Sequence, residues 1–373
     1  DWQEYIDSTR KPFRHRAKAS ITVDPELRDH FGIDLSSFIE GSAAADLVYT
    51  GLPGNKAEVD VSVDASAARF FIQSFQYDKQ PGAKASARLK AHLDNNELRR
   101  ITNLTAEAPN FKLDKTDIVF RGSGKTTEVD SARISRFVLG ETISNANIDF
   151  TPSGQMKIVM DGAFLDLRPF LDKEDRGENQ VYEDPPTILS ISMDQMRSAD
   201  LETIQYGKIY ADIDDQGRFN QLEMDGIAGE GDIYLRYKPN AQGVRTFRLE
   251  ADDAGAALRA FDVYKSIRGG KLVIYGEPIR GVYDRNLIGV AEITNFRVVD
   301  APALAQLIGA MSLPGIMATL DGEGLSFSKL EAKFDWLYRK RGALLVLKDG
   351  RTSGNALGLT FDGVFDNAAQ KVD

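Results

Sequence analysis

Strict alternation of apolar and polar residues is the property that most limits what this chain can fold into. Ala57, Val59, Val61, Val63 and Ala65 are apolar, and the residues between them, Glu58, Asp60, Ser62 and Asp64, are polar. Ala87, Leu89, Ala91 and Leu93 repeat the pattern against Arg88, Lys90 and His92. It returns at Met156/Ile158/Met160, Ile209/Ala211/Ile213, Ile233/Leu235/Tyr237, Leu272/Ile274 and Leu357/Leu359/Phe361. A period of two places every second side chain on one face, so each segment predicts a strand with one apolar and one wet face. That is the signature of antiparallel sheet covered on one side only.

Turn chemistry separates these segments. Asp94-Asn95-Asn96, Thr151-Pro152-Ser153-Gly154, Asp214-Asp215-Gln216-Gly217, Pro239 to Gly243 and Lys348-Asp349-Gly350 all read as reversals. Short helices are expected near residues 25–31, 165–172, 253–265 and 301–312. In the C-terminal half a strand runs into a helix twice. Thr246 to Ala251 alternates, passes Asp252-Asp253, and becomes helix-like from Ala254; Ala291 to Val299 does the same through Asp300-Ala301-Pro302. Asp300 suits an N-cap, and Pro302 is tolerated in a first helical turn. Gly162 to Phe170 echoes the unit more loosely. The charged, proline-terminated stretch 172–186 predicts a linker between an N-terminal segment, 1–171, and a C-terminal one, 187–373.

Composition removes several functions. The net charge of -10 argues against nucleic-acid binding, since phosphate neutralisation needs clustered cations. The one basic run, Arg10 to Lys18, reads as a solvated connector rather than a lipid-headgroup contact. With no cysteine the chain has neither disulfides, thiolate ligands nor a thiol nucleophile. No run of about 20 apolar residues is present, as a membrane helix would require. The chain starts at Asp1 and stops just after a strand pattern, which reads as a fragment of a longer protein.

Motifs for chemistry fail on inspection. Gly122-Ser123-Gly124-Lys125-Thr126 looks like the end of a phosphate loop, but Val119 stands where the first glycine belongs. Glu128 to Phe137 then alternates like a strand, so a hairpin turn is expected instead. His15, His30 and His92 are scattered, and the 56 acidic residues single out no catalytic pair. Asn103-Leu104-Thr105 matches a glycosylation acceptor, a pattern too common to carry weight. The chain is therefore read as a non-enzyme, with no metal site and no cofactor.

Leu249 to Arg259, Ile267 to Leu272 and Ile293 to Leu307 resemble the AsmA-like superfamily of Gram-negative envelope proteins, most closely its YhdP-type members. Leu320 to Phe327 and Gly354 to Gly363 continue the resemblance, which spans about residues 245–365. Leu27 to Asp34, Ile39 to Gly41 and Tyr77 to Gly82 are similar to the family's preceding region, more weakly. The resemblance implies a mainly β fold: an elongated antiparallel sheet curled into an apolar groove, with a few short helices. It also implies a periplasmic bridge-like lipid transfer protein that carries phospholipids between inner and outer membranes. The inner-membrane anchor and the membrane partners are expected outside this chain.

Under that reading the acyl chains would lie against Val59, Val61, Val63, Leu89, Leu93, Ile158, Ile209 and Ile233. Leu235, Leu272, Ile274, Ile293, Leu357, Leu359 and Phe361 complete the expected lining. Simple core packing is the competing role for each. If the same faces close on one another as β-sandwich modules, the protein is a non-catalytic structural or assembly module of the envelope.

Overall fold

A computed structural model describes residues 2–4, 13–30, 36–171, 185–199, 202–279, 286–301, 305, 324–338, 343–354, 357–366 and 371–372. The fold is mainly β, with extensive antiparallel sheet and few helices. It divides into two compact units, Asp1–Leu165 and Asp166–Asp373.

The first unit opens with β1 (Trp2–Glu4), β2 (His15–Val23), β3 (Ile39–Glu40), β4 (Ala43–Leu52) and β5 (Lys56–Asp64). β6 (Arg69–Ile72), β7 (Tyr77–Lys79), β8 (Ser86–Asp94) and β9 (Glu97–Ala108) follow. β10 (Phe111–Arg121), β11 (Glu128–Leu139), β12 (Thr142–Phe150) and β13 (Met156–Asp166) end it. The main sheet is an antiparallel meander in which β1, β2, β4, β5 and β8 to β13 pair in that order. β3, β6 and β7 form a separate small sheet. One helix, α1 (Pro25–His30), follows β2, and Asp24 accepts a bond from the Leu27 N–H at 2.8 Å.

The second unit begins with α2 (Arg168–Leu171), then β14 (Thr187–Arg197), β15 (Thr203–Ile213), β16 (Phe219–Ala228), β17 (Gly231–Pro239) and β18 (Arg245–Ala251). After α3 (Ala254–Ala260) come β19 (Ile267–Arg268), β20 (Lys271–Pro278), β21 (Leu287–Val298) and β22 (Leu325–Tyr338). β23 (Ala343–Gly354), β24 (Gly358–Asp366) and β25 (Lys371–Val372) complete it. Successive strands again pair antiparallel, except that β18 skips to β20 and the short β19 extends the pairing along β21.

One hairpin design recurs at three of the expected turns. At Thr151, Asp214 and Asn240, a side-chain oxygen accepts from the backbone N–H four residues on, at 2.9–3.0 Å. The glycine three residues on donates to the same residue's carbonyl and sits at positive φ (Gly154, Gly217 and Gly243). A polar acceptor first and a glycine fourth are thus what the sequence needs to close this loop.

Several expectations are corrected. Lys348-Asp349-Gly350 is no turn: it lies inside β23, where the register shifts between Leu347 and Gly350 and Asp349 has φ 52°. The helix expected over 253–265 stops at Ala260, capped at its start by Asp253, which accepts from the Ala256 N–H at 2.9 Å. The turn expected at Gly122 to Thr126 is present between the antiparallel β10 and β11, as a short 3-10 turn, Gly124–Thr126, closed by a capping box of Ser123 and Thr126. No sheet is closed or strongly curled, so the curled groove is not part of the observed architecture. Of the helix expected over 301–312 only Ala301 and Ala305 are described; the Ala305 N–H donates to the Ala301 carbonyl at 2.9 Å. The expected linker lies outside the described residues apart from Pro185 and Pro186.

Candidate functional site

Register carries the alternation of single strands into rows that cross a whole sheet. In the first unit, Ala17 lies opposite Tyr49, Tyr49 opposite Val59, Val59 opposite Ala91, and Ala91 opposite Ile101. The row continues through Ile118, Ala132, Ile148 and Ile158 to β13. Directly opposed residues share a face, so one apolar row spans every strand from β2 to β13 of the main sheet. A second row, Ala19, Leu47, Val61 and Leu89, runs beside it.

The row one residue away is polar across the same strands except at the exposed Val119: Arg16, Thr50, Glu58, His92, Arg100, Val119, Ser131, Asp149 and Lys157. Cross-strand ion pairs knit this opposite face. Lys90 lies 3.0 Å from Glu58 and 3.2 Å from Asp60, Arg100 2.6 Å from Asp117, and Arg133 2.6 Å from Asp149. All are at least partly exposed, so each adds only about 0–1 kcal/mol. Their larger effect is to fix which face is wet.

β-Bulges keep the two faces in phase. Apolar neighbours three apart, as in Ile204/Gly207, Ile293/Phe296 and Leu347/Gly350, would fall on opposite faces of a regular strand. Each gap holds one residue at positive φ: Tyr206, Asn295 and Asp349. The ladder shifts or loses a partner at each of these residues, and the apolar series resumes on its original face. Asn103 and Lys115 do the same in β9 and β10.

Burial separates the two units. In the first, the buried apolar residues are mostly alanines, Ala43, Ala45, Ala57, Ala68, Ala85, Ala132 and Ala146, with Leu139, Met160 and Leu165 the larger exceptions. The large members of its rows, Tyr49, Val59, Val61, Leu89, Ile101, Ile118, Ile148 and Ile158, are only half-buried. Cover comes at one end of the strands, where the Phe70 ring of the small sheet meets Phe111 edge-on at 5.1 Å. The buried Lys79 ties that sheet down by donating to the carbonyls of Ala65, Ser66 and Ala68 at 2.7–2.9 Å.

In the second unit, three rows lie at increasing distance from α3. Gly226, Ile233, Ala251, Leu272, Ile293 and Leu330 form the nearest, and Ile233 is 0% and Leu272 2% exposed. In the next row, Ile191, Met224 and Leu249 are buried while Ile209, Leu235 and Ile274 are half-buried. The third, through Leu189, Leu222, Tyr237 and Phe247, is half-buried apart from Ala211, Gly276 and Phe334. The Phe334 ring lies over Gly289, where a Cβ would collide with the neighbouring strand.

α3 packs against β16, β19 and β21 with small residues, Ala254, Gly255, Ala256 and Ala257. A Cβ on Gly255 would meet the Ile267 carbonyl, so only glycine permits this approach. Beside it Phe296 stacks on Phe327 at 5.4 Å, and Arg259 pairs with Glu202 at 2.9 Å.

Apart from Leu357, which lies just before β24, the expected lining residues share apolar faces but differ in burial. Ile233, Leu272 and Ile293 are buried; Val59, Val61, Val63, Leu89, Leu93, Ile158, Ile209, Leu235, Ile274, Leu357, Leu359 and Phe361 are half-buried. Alternation missed Ile101 and Ile118 because bulges break the period around them; Ile148 was also missed, although Ala146, Ile148 and Phe150 alternate regularly with Asn147 and Asp149. Among the described residues there is no cluster of metal-ligating side chains, and no helix is long and apolar enough to cross a membrane. Comparison with family models, curated proteins and solved structures finds no match.

Proposed function

We propose that this chain is a segment of a bridge-like lipid transfer protein, in which the apolar sheet faces carry phospholipid acyl chains between the inner and outer membranes. The observation that carries the reading is the apolar row from β2 to β13, whose large side chains stay half-buried. A fold that needed those residues only for its own core would cover them. The resemblance to AsmA-like envelope proteins supports the same reading and supplies the periplasmic address and the inner-membrane anchor. Energetics fit as well. Exposing apolar chain to water costs about 0.8 kcal/mol per CH2, so a sixteen-carbon chain crossing unaided costs on the order of 12 kcal/mol. An apolar surface continuous from strand to strand lowers that barrier with no catalytic residue and no cofactor. Curling of the sheet into a groove belongs to this proposal; the bulges, which add local twist and bend, are where curvature would be introduced.

The competing role, a structural module of the envelope, draws on one observation: the closed packing of the end of the sheet that bears α3, where Ile233, Leu272 and Phe296 are buried. A photo-crosslinker at Val61, Leu235 or Leu359 in cells separates the two. Phospholipid attached at these sites is the expected result. Crosslinks to protein alone, from all three, overturn the lipid reading.

A further inference from the structure

The first unit holds a cleft lined by charged and polar residues, with Leu93 its one apolar member. It has a volume of about 620 Å3, and Lys56, Lys90, Arg99 and Arg100 line it together with Asp94 and Asp117. Two irregularities of β9 build it. Leu98 pairs with Leu93 and Arg100 with His92, which leaves Arg99 as the additional residue of a bulge. In a regular strand residues 99 and 100 would point to opposite faces, whereas the bulge brings both arginines to one cleft. Close by, Thr102 still pairs with Lys90, but Asn103 has φ 54° and donates its backbone N–H to Asp117 at 3.1 Å.

The carboxylates hold the cations in place. Arg100 donates to Asp117 at 2.6 Å, and Arg99 pairs with Glu97 while donating to the Gly122 carbonyl at 2.6 Å. Burial works against the charge on Asp117, yet Arg100 and the Asn103 N–H keep its carboxyl below the usual range, so it remains an anchor. A guanidinium has five N–H donors, and these contacts leave some of them unused. Lys56 is exposed and makes no ion pair among the described residues.

We propose that this cleft binds a phosphate-class oxyanion through Lys56, Arg99 and Arg100. Two guanidinium forks and a free ammonium suit a tetrahedral group with several oxygens, which can bridge donors that a planar carboxylate cannot reach together. The source is either a free phosphate ester or the phosphodiester of a lipid headgroup. The inference does not depend on acyl-chain binding by the apolar rows.

The test is calorimetric titration of the whole chain with inorganic phosphate and, separately, with glycerophosphoethanolamine as a soluble diester. Saturable binding is expected, weakened several-fold by Lys56→Ala and at least tenfold by Lys56→Glu with Arg99→Glu. Lys157→Glu, exposed on the same face, is expected to leave it unchanged. Binding of both probes marks a general phosphate site, and binding of the diester alone marks a headgroup site. Lys56 lies exposed at a hairpin end, so Lys56→Ala keeps the test valid even if the double variant is destabilised. The proposal is overturned if neither probe binds the native chain, or if Lys56→Ala and the double variant bind as tightly as Lys157→Glu.

Discussion

The two units use the same strand pattern to different ends. Both stack apolar residues into rows across an antiparallel meander, and both cover one end of the strands. In the second unit α3 packs against β16, β19 and β21, and in the rows nearest it large side chains are sealed: Ile233 at 0%, Phe296 at 2% and Leu272 at 2% exposed. In the first unit the cover is the small β3–β6–β7 sheet, and away from it the row from Val59 to Ile158 remains open to solvent on one side. Identical alternation can therefore produce a packed core or an unfilled apolar face. What decides is whether another element lies across the rows.

A charge placed on an apolar row should affect the two units very differently. Ile233→Asp buries a carboxylate with no partner and should cost on the order of 4 kcal/mol or more, enough to unfold the second unit. Hydrogen exchange resolved along the chain would show protection lost from β14 to β24 while the first unit keeps its own. A stable Ile233→Asp protein would mean that the rows near α3 are not a closed core.

Phe296→Ala should follow at about 3–5 kcal/mol, because its ring is sealed against Phe327 and α3 leaves little room to collapse. Urea denaturation would measure it. A loss below about 1 kcal/mol would place Phe296 with the half-buried residues of the first unit. Asp253→Ala comes next. Removing the acceptor for the Ala256 N–H should cost about 1 kcal/mol, and it should also loosen the rows nearest the helix, read as faster exchange at Ile233 and Leu272.

How much of this was legible depended on what the feature requires. Alternation specifies a face, so the shared rows of Val59, Leu235 and Leu272 could be read from sequence. Bulges could not be read as easily. Asp349-Gly350 has the same residue types as a hairpin turn, and only the spacing of Leu347 and Gly350, three apart and both on the apolar face, marks it as a bulge. Asn295 is another such bulge. Strands as short as β3, β6 and β7 carry too few residues to show a period, so the cover over Phe111 was invisible. Burial was the least legible: Ile233 and Leu235 are two apart on one strand and one face, yet only Ile233 lies in the row nearest α3. No local pattern encodes where a helix distant in sequence will rest.

Val61→Asp changes stability as little as the loss of the cap and is the most informative variant. Val61 is half-buried between Leu47 and Leu89 on an open face, so water can reach a carboxylate placed there. The cost is the lost contact of one valine with its cross-strand neighbours, about 1 kcal/mol. If this face carries acyl chains, the same substitution sets a charge in their path. Transport and lipid crosslinking should then fall steeply in a protein that still accumulates and folds. A structural module predicts the reverse coupling, in which activity changes only as far as stability does. Measuring the unfolding midpoint and the yield of crosslinked phospholipid on the same variant, with the crosslinker at Leu89, decides between them: a preserved midpoint with preserved lipid capture would remove the open face from the transport path.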